Sequence, residues 1–119
     1  MRLLILLVTL AAAPAQASEL WCMPNKICTN DKCNKNTDTE SSVRLHDPDG
    51  ATPVMRAYVE DIAMAKIRDD DQVHWQGVTM LADTSITMTL ALRKSDMTFT
   101  LSQFGAFGDM ISTGLCEVQ

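Results

Sequence analysis

The sequence lacks most of the residue patterns that mark an enzyme. Only two of its 119 residues are histidine, and no G-x-S-x-G segment or other placed nucleophile is present. His46 lies beside a predicted turn, where an exposed histidine is ordinary, and His74 lies beside Trp75. Carboxylates are common, but they are spread over predicted turns, and no pair of them stands out as acid and base. We therefore expect a protein without catalytic activity and keep a small hydrolase as an alternative.

Long apolar runs are also missing, apart from a short one at the N-terminus. Met1-Arg2 is a short positive segment, residues 3–13 are apolar, and Ala15-Gln16-Ala17 fits an A-x-A cleavage site. The run is too short to span a membrane, which takes about 20 residues. These features predict a signal peptide over residues 1–17 and one small β domain over residues 18–119, periplasmic or secreted and free of the membrane after cleavage.

Basic residues are scarce in the expected mature chain. The sequence has 10 Lys plus Arg and 15 Asp plus Glu, and removal of Arg2 leaves nine basic residues and a net charge of −6. This balance argues against binding to nucleic acid and to anionic membrane surfaces. It keeps a small protein soluble, and it would also suit a basic partner protein.

The four cysteines lack the C-x2-C spacing of zinc knuckles and of redox motifs. They form an even set in a chain that we expect to be exported, so two disulfides are the default, and zinc is disfavoured. Three pairings are possible. We favour Cys22–Cys116, which would join the first strand to the last, and Cys28–Cys33, which would close a small polar loop.

The clearest pattern lies in residues 84–116, where apolar and polar residues alternate. Apolar side chains take every second position over residues 86–92 and again over residues 97–101, and threonine fills many of the positions between them. A period of two predicts half-buried strands. We expect a turn at Lys94-Ser95, within a four-residue loop, that fixes the strand register. The expected facing pairs are Leu92 with Met97, Leu90 with Phe99, Met88 with Leu101 and, at the surface, Arg93 with Asp96.

The segments before this hairpin also indicate short strands and turns. Residues 19–23 and 43–45 predict strands, and residues 24–38 predict a polar loop held by a disulfide. Residues 47–50, Asp-Pro-Asp-Gly, predict a type I turn. A calcium loop is the alternative there, but the third oxygen ligand and the later glutamate are missing.

Residues 52–68 fit either a helix that begins at Thr52-Pro53 or two strands. A helix would put Lys66 in the centre of its apolar face, and the surroundings are β, so we prefer two strands with a break at Glu60-Asp61. An acidic turn at residues 69–71 and a strand over residues 72–81 follow. The whole pattern predicts an all-β fold, a small antiparallel barrel or sandwich of about seven or eight short strands, tied by two disulfides.

Methionine is abundant, which raises copper as a second alternative. The sequence has eight methionines, and thioether and imidazole groups are suitable ligands for copper(I). A periplasmic copper-binding module would use residues that approach one another if their strands pair. The simpler interpretation is that methionine fills an irregular core, so we predict no cofactor and no metal site. The copper candidates are His74, Trp75, Met80 and Met88.

The cysteine frame resembles that of known exported proteins. Trp21-Cys22, two further cysteines and a closing G-x-C-E pattern, here Gly114, Cys116 and Glu117, resemble small exported proteins of Gram-negative bacteria that carry no assigned function. A small exported barrel with an N-to-C disulfide is also similar to periplasmic inhibitors of c-type lysozyme. That second resemblance implies an acidic protein that binds a basic enzyme. We therefore expect a small non-catalytic binding protein of unknown partner, inhibitor-like in binding a basic protein.

Overall fold

The computed structural model describes residues 18–36, 42–57, 60–105 and 108–119, so the expected signal peptide lies outside the described residues. The described chain is all β, as the sequence predicts, and it contains ten antiparallel strands. In chain order they are β1 (Glu19–Thr29), β2 (Lys32–Lys35), β3 (Val43–His46), β4 (Val54–Ala57), β5 (Glu60–Ala63), β6 (Ala65–Asp69), β7 (Gln72–Leu81), β8 (Thr84–Arg93), β9 (Thr98–Gly105) and β10 (Gly108–Val118).

Nine of the strands form a nearly closed antiparallel barrel. Their order is β5-β4-β3-β1-β10-β9-β8-β7-β6, and β2 pairs with β1 off this path. The two ends of the path, β5 and β6, are successive parts of one chain segment divided at Met64, so the barrel closes through the chain itself. Across the remaining seam between β5 and β7, Thr79 Oγ1 donates a hydrogen bond of 3.0 Å to Glu60 Oε2.

A glycine in β7 lets this seam close. A Cβ atom at Gly77 would lie 2.6 Å from the Ala63 carbonyl oxygen and 2.6 Å from Met64 Sδ. Real Cβ atoms do not approach backbone oxygen so closely, and a side chain here would push β5 away from β7.

The inner face of the barrel is the core, and strand alternation produces it. Successive side chains of a strand point to opposite faces, so the odd positions of β7 and the even positions of β8 face inward together. Their neighbours on the outer face are mostly polar, and Val78, Met80 and Ala91 are the apolar exceptions. The buried core comprises Leu20, Cys22, Val43, Leu45, Met55, Ala57, Ile62, Met64, Val73, Trp75, Met88, Leu90, Leu92, Phe99, Leu101 and Cys116.

Both predicted disulfides are present. Cys22 lies directly opposite Cys116 in the pairing of β1 with β10, and Cys28 lies directly opposite Cys33 in the pairing of β1 with β2. The first bond therefore joins the first strand to the last, as the favoured pairing requires. The second bond crosses a hairpin rather than closing an irregular loop.

The expectation of a polar loop over residues 24–38 is wrong for most of that segment. β1 continues to Thr29 through an irregularity in register between Pro24 and Lys26, and β2 then folds back on it. Asn30 and Asp31 connect them with φ angles of 47° and 69°, the positive pair that a two-residue type I′ turn needs. Polar residues are tolerated in these strands because β2 is exposed throughout. Residues 37 and 38 lie outside the described residues.

The register expected for the β8–β9 hairpin is wrong by two residues. Leu92 lies opposite Phe99 and Leu90 opposite Leu101, because the loop comprises residues 94–97. Met97 has a φ of 59°, and its N–H donates to the Arg93 carbonyl oxygen at 2.9 Å, so the loop uses a residue that we assigned to the strand. A shift of two preserves parity, and the apolar side chains still face inward.

The preference for strands over a helix in residues 52–68 is confirmed, but the segment holds three strands. Residues 58 and 59 lie outside the described residues, and the chain is already in β5 at Glu60, where we expected a break. The later break falls at Met64, whose N–H donates to the Pro53 carbonyl oxygen at 2.8 Å. This third strand and β2 raise the described strand number to ten, above the seven or eight expected.

Candidate functional site

One end of the barrel contains a cleft of about 310 Å³, which we call the mouth cleft. It lies where β1 begins and β10 ends, beneath the turn of residues 47–50 and beside the loop of residues 94–97. Barrel mouths are recurrent binding sites because the inward side chains end there without a covering layer. The apolar residues that bound the mouth cleft are Leu20, Val73, Trp75, Leu92, Met97 and Val118.

Trp75 forms the floor of the mouth cleft and also fixes its roof. The ring is 2% exposed, since residue 75 is an inward position of β7. Its indole Nε1 donates a hydrogen bond of 3.0 Å to the carbonyl oxygen of Pro48. The turn that carries Pro48 is the one predicted from the sequence, and Gly50 N–H donates to the Asp47 carbonyl oxygen at 3.0 Å to close it.

Charged side chains from β6, from the turn of residues 47–50 and from the loop of residues 94–97 form the rim of the mouth cleft. Lys66 Nζ lies 2.8 Å from Asp49 Oδ1 and 3.1 Å from Asp69 Oδ2, and Lys94 Nζ lies 2.8 Å from Asp69 Oδ1. The hydrogen bonds that Lys66 donates to Asp49 and then to Asp69 raise the pKa of Lys66. The hydrogen bonds that Asp69 accepts from Lys94 and then from Lys66 lower the pKa of Asp69. Lys66 and Asp69 are therefore both charged at neutral pH.

Acidic groups exceed basic groups at this end of the barrel. Arg68 pairs with the adjacent acidic turn, where the Gln72 backbone N–H and then Arg68 lower the pKa of Asp70 to about 2. Glu19, Asp47 and Glu117 have no ion pair within the described ranges. The mouth cleft thus combines an apolar floor with a rim of negative excess.

The mouth cleft offers two kinds of contact. An apolar group can enter the floor, and a cation beside it can meet the exposed carboxylate of Asp49, whose side chain is 83% accessible. No cluster of three or more His, Cys, Asp or Glu able to hold a metal ion exists in the part of the chain that the structure describes.

The copper candidates do not come together. His74 and Trp75 are successive residues of β7, so their side chains point to opposite faces; Trp75 is in the core, and His74 Nε2 lies 3.1 Å from Gln72 Oε1. Met88 is buried in the core, whereas Met80 is on the outer face with 59% exposure. The other histidine, His46, lies on β3 and is exposed.

Sequence reasoning missed the mouth cleft, although one signal was available. Lys66 stood out as a lysine in an apolar pattern, and the structure shows that it reaches the rim. The sequence indicates Trp75 only as a copper ligand, whereas in the structure its indole donates a hydrogen bond to the Pro48 carbonyl oxygen above the cleft. The other rim residues lie on β6, on the turn of residues 47–50 and on the loop of residues 94–97, which meet only after folding.

Within the described ranges, no helix has the length and apolarity needed to cross a membrane. No known protein family, curated protein or solved structure matches the chain.

Proposed function

We propose that the protein is an exported, non-catalytic binding protein that holds a basic partner protein at the mouth cleft. The observation that carries the proposal is a cleft of about 310 Å³ with an apolar floor and a rim with acidic excess. Two disulfides are consistent with an oxidising compartment outside the cytoplasm, where such a partner would be met.

In this proposal the apolar floor and the acidic rim of the mouth cleft contribute to binding in different ways. Burial of one apolar side chain of the partner against the accessible Met97 and Val118 supplies affinity, at about 25 cal/mol for each Å² of apolar surface removed from water. The exposed carboxylates, including Asp49, increase the association rate of a basic protein and select against acidic ones. Screening by salt should weaken that second contribution.

A c-type lysozyme is the probe of choice, since it is the basic partner that the sequence resemblance implies. Calorimetry at 25 mM and 300 mM salt should give saturable binding that weakens at the higher concentration, and lysis of cell walls should slow when the protein is added. Absence of both binding and inhibition at 25 mM salt would refute the proposal for this class of partner.

A matched pair of charge reversals locates the binding surface. Asp49→Lys places a positive charge on the rim and should weaken binding by roughly tenfold at low salt. Asp109→Lys makes the same change in an exposed residue at the opposite end of the barrel and should have little effect. An equal loss of affinity in both variants would mean that net charge alone attracts the lysozyme. The proposal that the mouth cleft is the binding surface would then be refuted.

A further inference from the structure

A second cleft, of about 380 Å³, lies on the outer face of β1, β3, β4 and β5. The strand register arranges its residues in two rows, because residues directly opposite one another share a face. We call it the arginine cleft. One row of the lining is Arg44, Arg56 and Asp61, which Trp21 extends on β1, and the next row is Glu19, His46 and Val54.

The two arginines of the first row differ in their partners. Arg56 Nε donates a hydrogen bond of 2.8 Å to Asp61 Oδ1, and Arg56 Nη2 donates one of 3.3 Å to Asp61 Oδ2. The charge of this guanidinium is therefore balanced by the Asp61 carboxylate. Arg44 has no carboxylate partner among the described residues. Its neighbour across the strands is Arg56, and like charges directly opposite one another are destabilising.

The unpaired guanidinium is nevertheless held in place. Arg44 Cζ lies 3.9 Å from the centroid of the Trp21 ring, so the indole supports one face of the guanidinium. A stacked guanidinium keeps its N–H groups at the edge, in the planar fork that matches a carboxylate. The Trp21 Nε1 donor is buried and has no hydrogen-bond partner in the described chain. This pair therefore carries donors that the described residues leave unused.

We propose that the arginine cleft binds a small carboxylate, held by Arg44 against Trp21. The ligand is singly charged, because Glu19 and Asp61 also line the cleft and disfavour a second negative charge. Val54 provides an apolar wall for a short aliphatic body. A free acid and the C-terminus of a peptide share this chemistry. The site is separate from the mouth cleft and shares only Glu19 with it.

Two-dimensional NMR of the indole N–H groups tests this proposal in the unmodified protein. The chain has two tryptophans, so two signals are expected, and Trp75→Phe assigns them. N-acetylvaline should shift the Trp21 signal saturably, with a dissociation constant of about 1–10 mM, and leave the Trp75 signal in place. N-acetylvalinamide, which lacks the carboxylate, should shift neither signal.

Conservative substitutions and a peptide identify the group that binds. Arg44→Lys keeps the charge but loses the fork, and it should weaken binding of N-acetylvaline at least fivefold; Arg68→Lys, at an arginine already paired with Asp70, should not. A valine-ending pentapeptide that binds, with its amidated form inactive, extends the site to peptide C-termini, and binding of N-acetylvaline alone restricts it to free acids. Equal shifts by acid and amide, or unchanged affinity in Arg44→Lys, would overturn the proposal.

Discussion

Loss of the Cys22–Cys116 disulfide should destabilise the barrel much more than loss of Cys28–Cys33. The first bond closes a sequence separation of 94 residues and the second a separation of 5. In the chain-entropy account these loops correspond to about 4.7 and about 2 kcal/mol of stabilisation. Cys22 and Cys116 are 0% and 4% exposed, so alanine is the better replacement, since serine would also bury a hydroxyl group.

Thermal unfolding of the two double variants tests this difference. For a domain of this size, 1 kcal/mol lowers Tm by about 4–8 °C. Cys22→Ala with Cys116→Ala should therefore lose roughly 20 °C or more, and Cys28→Ala with Cys33→Ala roughly 10 °C. The fully reduced wild-type protein, which lacks both disulfides, should have a lower Tm than either variant. If the Tm of the Cys28/Cys33 variant falls as far as that of the Cys22/Cys116 variant, the argument from loop length is refuted.

Three further substitutions probe the turns and the seam. The hydrogen bond from Arg93 holds the pKa of Asp96 below its ordinary 3.8, so Asp96→Asn should lower the unfolding free energy above that pH. The difference in unfolding free energy between the wild type and Asp96→Asn should shrink as the pH falls through the lowered pKa of Asp96. Denaturant titrations at pH 7, 4 and 2 would show this. Gly77→Ala should cost about 1–3 kcal/mol by steric overlap with Ala63, measured by urea unfolding. Ala82→Asn should raise Tm slightly, because residue 82 has a φ of 50° that asparagine tolerates better.

The sequence was most informative where one face of a strand is buried. The strand expected over residues 72–81 matches β7, and the inward assignments of Leu90 and Leu92 are confirmed. Alternation is a direct consequence of the pleat, so it survives even the two-residue error in the β8–β9 register. The cysteine pairing follows from a different argument, that the first and last strands of a nearly closed sheet can be neighbours, and β1 does pair with β10.

The sequence was least informative where side chains, turns and register decide the geometry. The β8–β9 loop depends on the Asp96 carboxylate, which accepts a hydrogen bond of 3.1 Å from the Thr98 N–H. The β1–β2 hairpin has no alternating apolar signal, because β2 is exposed on both faces. The stack of Arg44 on Trp21 depends on the register of β1 against β3, and the alternation of either strand alone does not specify that register.

Mapping the surface that contacts a c-type lysozyme is the most direct test of the proposed role of the mouth cleft. Amide chemical shifts of isotope-labelled protein should change most around the cleft when unlabelled lysozyme is added, at Asp49, Val73 and Met97. The Trp75 indole signal should move with them, since its N–H is bonded to Pro48 at the roof. Changes confined to the opposite end of the barrel, around residues 82–83 and 109–111, would contradict the account.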